Sequence, residues 1–370
     1  MSAIKYGVIG AGMMGQEHIR YINLLPDCRV SAIADPNLEM REQAKAIASE
    51  KGAVKDYENA DDLFQHPDQF DLLLIAAPNF LHAAIMRQAL SLNKPILVEK
   101  PLATSAQDCL ELMKRAESCA APIWVAMEYR YMSATAALLE ALEAKQIGDH
   151  PIMISIKEHR YPFLDKIEQW NRFNAQSGGT MVEKSCHFFD LMRLIARSDP
   201  ARIYASIGQD VNHVGEVYKG QVSDIADNGF VIIEFENGVR GNLDLCMFGE
   251  GAFWQERISV TGQKGELEAL IPAPPRFSSS DMPHHSELIY SDRKTQTQTR
   301  TMFDMDETLS ALGDHHGSTL EQHRRFLDLI TGRKTGKPEV GLEDGYWAVR
   351  MGEAAQESAK HNRLISFKDF

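Results

Sequence analysis

Over the first 128 residues, short apolar runs alternate with longer amphipathic stretches. Ile4–Ile9, Arg29–Ala34, Leu72–Ala76, Ile96–Glu99 and Ile123–Met127 have the length and β-branched content of strands. Between them, Met13–Leu24, Leu38–Glu50, Leu81–Leu92 and Ser105–Cys119 carry a helical period. Strand, helix and strand at this spacing predict right-handed crossovers and a parallel sheet with helices on both faces. The pattern changes after a further helical stretch at Ser133–Lys145. Ile152–His159 alternates as a half-buried strand, and strand-like runs follow at Arg202–Ile207, Gly229–Phe235, Gly238–Leu245 and Ile258–Thr261. Few helices intervene there, so antiparallel pairing is expected. Glu236-Asn237-Gly238 between two apolar runs signals a hairpin.

Gly179–Ala196 reads as a helix set among these strands, and helical stretches near Ser318–Thr331 and Glu343–His361 close the sequence. Pro272–Arg300, with its Pro pair, its Ser278–Ser280 run and its Thr and Gln residues, reads as a loop or an edge excursion. The expected class is therefore α/β. A doubly wound parallel-sheet domain over residues 1–128 is followed by an α/β domain with a largely antiparallel sheet over 129–370.

Composition agrees with a folded protein, at 44% hydrophobic and 25% charged residues. A net charge of −13 argues against phosphate-backbone binding and so against nucleic acid as the partner. It leaves a small molecule as the expected ligand. Cys28, Cys109, Cys119, Cys186 and Cys246 are scattered and odd in number, without a C-x-x-C pair, so neither a disulfide framework nor a zinc ribbon is indicated. The start, MSAIKYGVIG, lacks the apolar core of a signal peptide, and no apolar run reaches membrane-spanning length. A cytoplasmic protein, without membrane attachment, is the expectation.

The first candidate site lies at Gly10-Ala11-Gly12-Met13-Met14-Gly15, which follows the first strand and opens the first helix. In that context each glycine of a G-x-G-x-x-G pattern has a place in a Rossmann-type dinucleotide site. Gly10 serves the tight turn, Gly12 the approach of a pyrophosphate, and Gly15 the packing of helix on strand. The helix N-terminus offers N–H groups to the phosphates. Asp35 ends the second strand, twenty residues after Gly15, where a carboxylate can accept hydrogen bonds from the adenosine ribose. No basic residue precedes Arg41 to offset a 2′-phosphate, so NAD is favoured over NADP. With Pro36 next, Asp35 also reads as an N-cap of the following helix.

Two further motifs carry chemistry. Glu99-Lys100-Pro101 puts Lys100 at the carboxyl end of a parallel strand, where open α/β sheets bind ligands. Ala77-Pro78-Asn79 with His82 occupies the same edge after the preceding strand. In Gly178-Gly179…Glu183-Lys184-Ser185-Cys186-His187…Asp190, an uninterrupted helix would put Glu183, His187 and Asp190 on one face. A metal reading of Glu183 and His187 lacks a third ligand at convincing spacing, so no metal is assigned. Tyr129 and Arg130, Arg160, Trp170, Asn171, Arg172, Lys184 and Asp190 are the candidate substrate contacts. Arg160, Arg172 and Lys184 could together read an anionic group, and each equally suits a solvated or salt-bridged role.

In this order, Gly10–Gly15, Glu99-Lys100-Pro101 and Gly178-Gly179…Glu183…His187…Asp190 resemble the Gfo/Idh/MocA family of sugar and inositol dehydrogenases. The likeness runs to the closing Gly341…Asp344-Gly345 and Ala354…Ser358. It implies a second domain used for substrate binding and often for homo-oligomerisation, as a dimer or tetramer, and a substrate cleft between the domains. The family's lysine falls on Lys100 and its histidine on His187. Its usual aspartate is replaced by Glu183, its small residue two before the histidine is Ser185, and Lys184 is an unusual charged neighbour. The implied activity is oxidation of a secondary hydroxyl of a sugar, cyclitol or sugar derivative, with hydride passing to NAD. An imidazole suits the proton transfer and a lysine the charge on oxygen, with Glu183 orienting the imidazole. Two alternatives remain open: an NAD-dependent glycoside hydrolase working by transient oxidation and elimination, and a non-catalytic dinucleotide sensor.

Overall fold

In the computed structural model, which describes residues 3–279 and 281–370, the chain divides into two compact units. Met1 and Ser2 of the start and Ser280 of the expected polar loop lie outside the described residues.

The first unit runs to Glu128 and takes the chain back for Thr319–Val349. Six strands form its sheet: β1 (Ile4–Ile9), β2 (Cys28–Ala34), β3 (Lys55–Tyr57), β4 (Leu72–Ile75), β5 (Ile96–Glu99) and β6 (Ile123–Ala126). The order is β3-β2-β1-β4-β5-β6 and every pairing is parallel, the doubly wound arrangement with its reversal between β1 and β4. All residues of β4, β5 and β6 are buried, as strands covered on both faces require. The helices are α1 (Met13–Leu24), α2 (Leu38–Ala48), α3 (Ala60–Phe64), α4 (Asn79–Ala89) and α5 (Ala106–Ala116). Of these strands, the sequence pattern did not signal β3, which is three residues long and almost wholly exposed.

The two-part division of the sequence does not include the return of Thr319–Val349. Its cause is apolar. Leu320, Phe326 and Leu327 are buried, the Phe326 ring meets that of Trp124 edge-on at 6.0 Å, and Val340 accepts a backbone hydrogen bond from Val125.

The second unit comprises Tyr129–Ser318 and Arg350–Phe370. Its main sheet has nine strands: β7 (Pro151–His159), β8 (Pro200–Gly208), β11 (Asn228–Phe235), β12 (Arg240–Cys246), β13 (Glu256–Gly262), β14 (Gly265–Ile271), β15 (His285–Asp292), β16 (Gln298–Asp304) and β17 (Ile365–Ser366). A small separate pair is formed by β9 (Val217–Tyr218) and β10 (Gln221–Val222). The order is β16-β15-β14-β13-β7-β12-β11-β8-β17, antiparallel except where β7 runs parallel to β12. Burial alternates along β8, β11 and β12, so this face-and-back pattern leaves one side of the sheet polar or solvent-exposed. Gly238, with φ +86°, takes the turn between β11 and β12, so β12 starts at Arg240.

One expectation is narrowed and one needs correction. Of the two readings of Pro272–Arg300, the edge excursion holds, because β15 and the start of β16 lie in it as a hairpin at the sheet edge. Its low hydrophobicity is that of an edge strand, since every residue of β16 except Phe303 is exposed. The expected helix over Gly179–Ala196 is also interrupted. Thr180–Glu183 and Cys186–Ala196 are separate helices joined through Lys184 and Ser185. There the Ser185 N–H reaches back five residues to the Thr180 carbonyl at 3.2 Å, and the Ser185 carbonyl accepts from both Phe188 and Phe189. The turn is widened, and the four-residue spacing of Glu183 and His187 no longer places them on one face by itself.

Candidate active site

In the first unit the phosphate loop is shaped by backbone. Gly10 has φ +95°, and a Cβ there would stand 2.5 Å from the Ala76 carbonyl carbon and the Ala77 nitrogen. A Cβ on Gly15 would overlap the Gly10 carbonyl oxygen. Both positions therefore admit glycine alone. At Gly12 a Cβ would meet nothing within 4 Å, so the constraint there comes from outside the fold, as an approaching pyrophosphate requires. Met13 and Met14 begin α1, whose N-terminus carries no side-chain cap.

Asp35 is tied directly to this loop. Its Oδ2 accepts from the Ala11 N–H at 2.7 Å and its Oδ1 from the Asn37 N–H at 2.8 Å. Each oxygen keeps acceptor capacity for a ribose hydroxyl. Asn37, not Asp35, caps α2, accepting from Met40 N–H at 3.1 Å. The buried Arg41 guanidinium is held by the Asp35 carbonyl at 2.6 Å and by Asp56 at 3.3 Å, so it is not presented to a 2′-phosphate. The arrangement fits NAD.

Two residues singled out beside this loop serve it from within. The buried His82 ring spans the Ala77 carbonyl, at 2.8 Å, and the Pro101 carbonyl, at 2.7 Å, bracing the loops after β4 and β5. Ala77 and Pro78 stay partly exposed and Asn79 begins α4. Glu99 turns into the interior. Its Oε1 meets His18 Nε2 at 2.7 Å, and its Oε2 accepts from the Lys100 N–H at 3.2 Å. His18 continues to His323 at 2.8 Å and His323 to the Tyr6 hydroxyl at 3.2 Å. Burial beside His18 holds His323 well below the ordinary imidazole range, and burial raises the Tyr6 phenol. Glu99 thus anchors the backbone that presents Lys100, and His82 and Glu99 both brace the loops expected to carry the cofactor. Lys100 itself is partly exposed at the end of β5.

In the second unit the site is built from side chains. Tyr129 and His187 are both buried and stack face to face, ring centroids 4.0 Å apart and planes 7° from parallel. Lys184 Nζ donates to the Tyr129 hydroxyl at 2.6 Å and pairs with Glu158 Oε1 at 2.8 Å. Arg160 approaches the same Glu158 oxygen at 3.6 Å. Glu256 lies directly across the β7–β13 ladder from Glu158. Two buried carboxylates opposite one another repel, and burial with the Glu158 charge pushes Glu256 up to about 7. Burial and the Arg160 charge push Lys184 down, against the two carboxylates.

Arg130 and Asp190 form a buried bidentate pair at 2.6 and 2.5 Å, joining the turn after β6 to the helix of His187. The pair clamps these two elements together. Asn171 and Arg172 bond to a neighbouring loop. Asn171 donates to the Leu164 carbonyl at 2.9 Å, and Arg172 to Phe163 at 3.1 Å and Asp165 at 3.0 Å. Of the three expected cations, Arg160 and Lys184 come together around Glu158, while Arg172 braces the 163–165 loop. Trp170 sits partly exposed in the short Ile167–Arg172 helical segment, which is kinked at Glu168 and Gln169.

Glu158 and Glu256 escaped the sequence reading, yet a signal was there. Ile154, Ile156 and Glu158 are the inward set of an alternating strand, as are Glu256, Ile258 and Val260. A charge in an inward register predicts a buried partner.

No helix among the described residues is long and apolar enough to cross a membrane. Two family models match the chain. Residues 4–127 match an oxidoreductase family, NAD-binding Rossmann fold, and residues 140–367 match the C-terminal alpha/beta domain of the same family. Among curated relatives, the myo-inositol 2-dehydrogenase of Thermotoga maritima is 23% identical, over 99% of both chains. The 2,7-anhydro-N-acetylneuraminate hydratase of Escherichia coli is 24% identical, over 72% of this chain and 67% of its own. Among solved structures, a levoglucosan dehydrogenase in complex with NADH has the same fold, with a TM-score of 0.82 at 18% identity, over 99% of both chains. With a glycine cradle and ribose carboxylate in one unit, a buried histidine in the other, and family models over nearly the full length, the chain belongs to the Gfo/Idh/MocA oxidoreductase family.

Proposed function

We propose that the protein oxidises a secondary hydroxyl of a sugar, cyclitol or sugar derivative with NAD. The observation that carries this reading is the Tyr129–His187 stack, which fixes a buried imidazole in one orientation on the domain that follows an NAD-binding unit. Bound NAD supplies the hydride acceptor. His187 takes the hydroxyl proton, since an imidazole held rigidly beside the substrate suits a general base. Lys100, presented by a backbone that Glu99 anchors, hydrogen-bonds the same oxygen and steadies the charge that grows on it. Glu183 supplies a carboxylate one turn before the histidine in sequence. Tyr129, Arg160, Trp170 and Lys184 are the remaining candidates to shape the substrate side.

The relative named as a hydratase favours one second reading. A hydratase leaves no net oxidation, so the same residues could serve a cycle in which the hydride is returned before product leaves. The two readings differ in stoichiometry. The full-length protein is incubated with NAD and a panel of inositols, free sugars, anhydro-sugars and aryl glycosides, following NADH absorbance and product together. The dehydrogenase reading expects one NADH per ketone. NAD-dependent conversion of an anhydro-sugar or glycoside without matching NADH would replace it with the cyclic mechanism.

Self-association as a dimer or tetramer is part of the proposal. Tyr204, Phe230 and Ile232 are exposed on the outer face of adjacent strands β8 and β11, an apolar patch of the kind that marks an interface. Sedimentation velocity should show a smaller species for F230D than for the unaltered chain. A cytoplasmic location is part of the same proposal, which the free thiols of Cys28, Cys119 and Cys246 suit.

A further inference from the structure

Lys184 touches both a carboxylate on the sheet and the ring stacked on His187. We propose that Lys184, clamped between Glu158 and the Tyr129 hydroxyl, is a positioning residue that sets the basicity of His187 through Tyr129. The proposal rests on the reading of His187 as the base. Three geometrical facts carry it. The Nζ sits 2.6 Å from the phenol oxygen and 4.6 Å from the centre of the same ring. That ring covers the imidazole at 4.0 Å, nearly parallel. The ammonium is buried and cannot swing away, because Glu158 holds it at 2.8 Å and Phe188 lies 5.5 Å beneath it.

A positive charge fixed this close, in a place that salt cannot screen, opposes a second positive charge on the imidazole. The neutral, proton-accepting form of His187 is thereby favoured. The widened turn at Lys184-Ser185 lets the lysine point inward in the residue just after Glu183. The inward-facing carboxylates on β7 and β13 then have a structural purpose, as the cage that makes a buried lysine tolerable. The charged and titratable groups around the stack are Glu158 and Arg160 on β7, Glu256 on β13, Arg130 beside Tyr129, and Glu183 and Asp190 on the two short helices. His315 completes the set, its ring 6.1 Å from that of Tyr129. Arg130 and Asp190 neutralise each other. Of the rest, Lys184 donates a hydrogen bond to the phenol.

The test is a titration of histidine ring carbons by NMR in the full-length protein labelled at histidine Cε1, with the His187 signal assigned by its absence in H187Q. In K184M the His187 midpoint should move to higher pH, on the order of one unit, and K184R should restore it. E158Q removes a negative charge and should move it the other way, which keeps the test open should K184M fold poorly. In Y129F the effect of K184M should shrink, as coupling through the phenol requires. An unmoved midpoint in both K184M and E158Q would overturn the proposal, as would strict additivity of Y129F and K184M. Retained turnover in H187Q would instead remove His187 as the base, and the titration result would stand apart from it.

Discussion

The two units bury polar groups in opposite ways. In the first, Glu99, His18, His323 and Tyr6 form a hydrogen-bonded chain with a single carboxylate at its end. In the second, two carboxylates, a lysine and an arginine are packed under one histidine. The first is a brace: it fixes the backbone before Lys100, and the candidate phosphate loop beside it is shaped by glycine and main chain. The second is an electrostatic device, because uncompensated charge at such depth destabilises unless it performs a function or finds its partner. On the proposed reading, the fold binds NAD by shape and arranges its proton chemistry by charge.

The largest effect should come from breaking shape. Gly15→Val puts a branched side chain into the Gly10 carbonyl, and overpacking of this kind costs about 1–3 kcal/mol even where the backbone can give. The Tm should fall and NAD binding should be lost together. A variant that binds NAD normally would show that the loop is not the cradle. Next is Asp35→Ala, which removes an acceptor for the ribose and the anchor of Ala11. Hydrogen bonds to charged groups contribute roughly 1.5–3 kcal/mol, so NAD affinity should drop about tenfold or more while NADP affinity drops less. Calorimetric titration with both dinucleotides reads this, and an equal loss for both would break the assignment of Asp35.

The smallest effect probes the charged cluster. Glu256 has its folded pKa raised from 4.5 to about 7, chiefly by burial, so the folded state holds the proton more tightly than the unfolded chain. Its contribution to stability is then fully present below pH 4.5 and is lost as pH rises through about 7. Thermal melts of the unaltered protein should show a Tm decline between pH 5 and pH 8 that is shallower in E256Q. Parallel curves would mean that Lys184 neutralises Glu256 across the whole range.

The contrast between the units also explains what could be read from sequence. Shape leaves a residue signature: Gly10, Gly12 and Gly15 are spaced by the turn they make, and LLLI, ILVE and IWVA are apolar because both faces are covered. The doubly wound order, the mostly antiparallel second sheet and the hairpin at Gly238 were therefore legible. Charge clusters leave almost none, since Glu158 and Glu256 are ninety-eight positions apart and meet only when β13 pairs with β7. Local patterning also could not reveal that Arg130 would be claimed by Asp190, or Arg172 by the 163–165 loop. The return of residues 319–349 to the first unit has the same origin, because an amphipathic helix shows which face is apolar and not which core receives it.

The division of labour is tested most directly by one variant measured twice. NAD affinity and kcat of His187→Ala are determined side by side on whichever panel substrate turns over. The account predicts that kcat falls by about 10²–10⁴-fold, the range for loss of a general base, while the NAD Kd stays within about twofold, because the cofactor cradle is made by the other unit. Near-normal turnover, or a loss of NAD affinity matching the loss of rate, would contradict it.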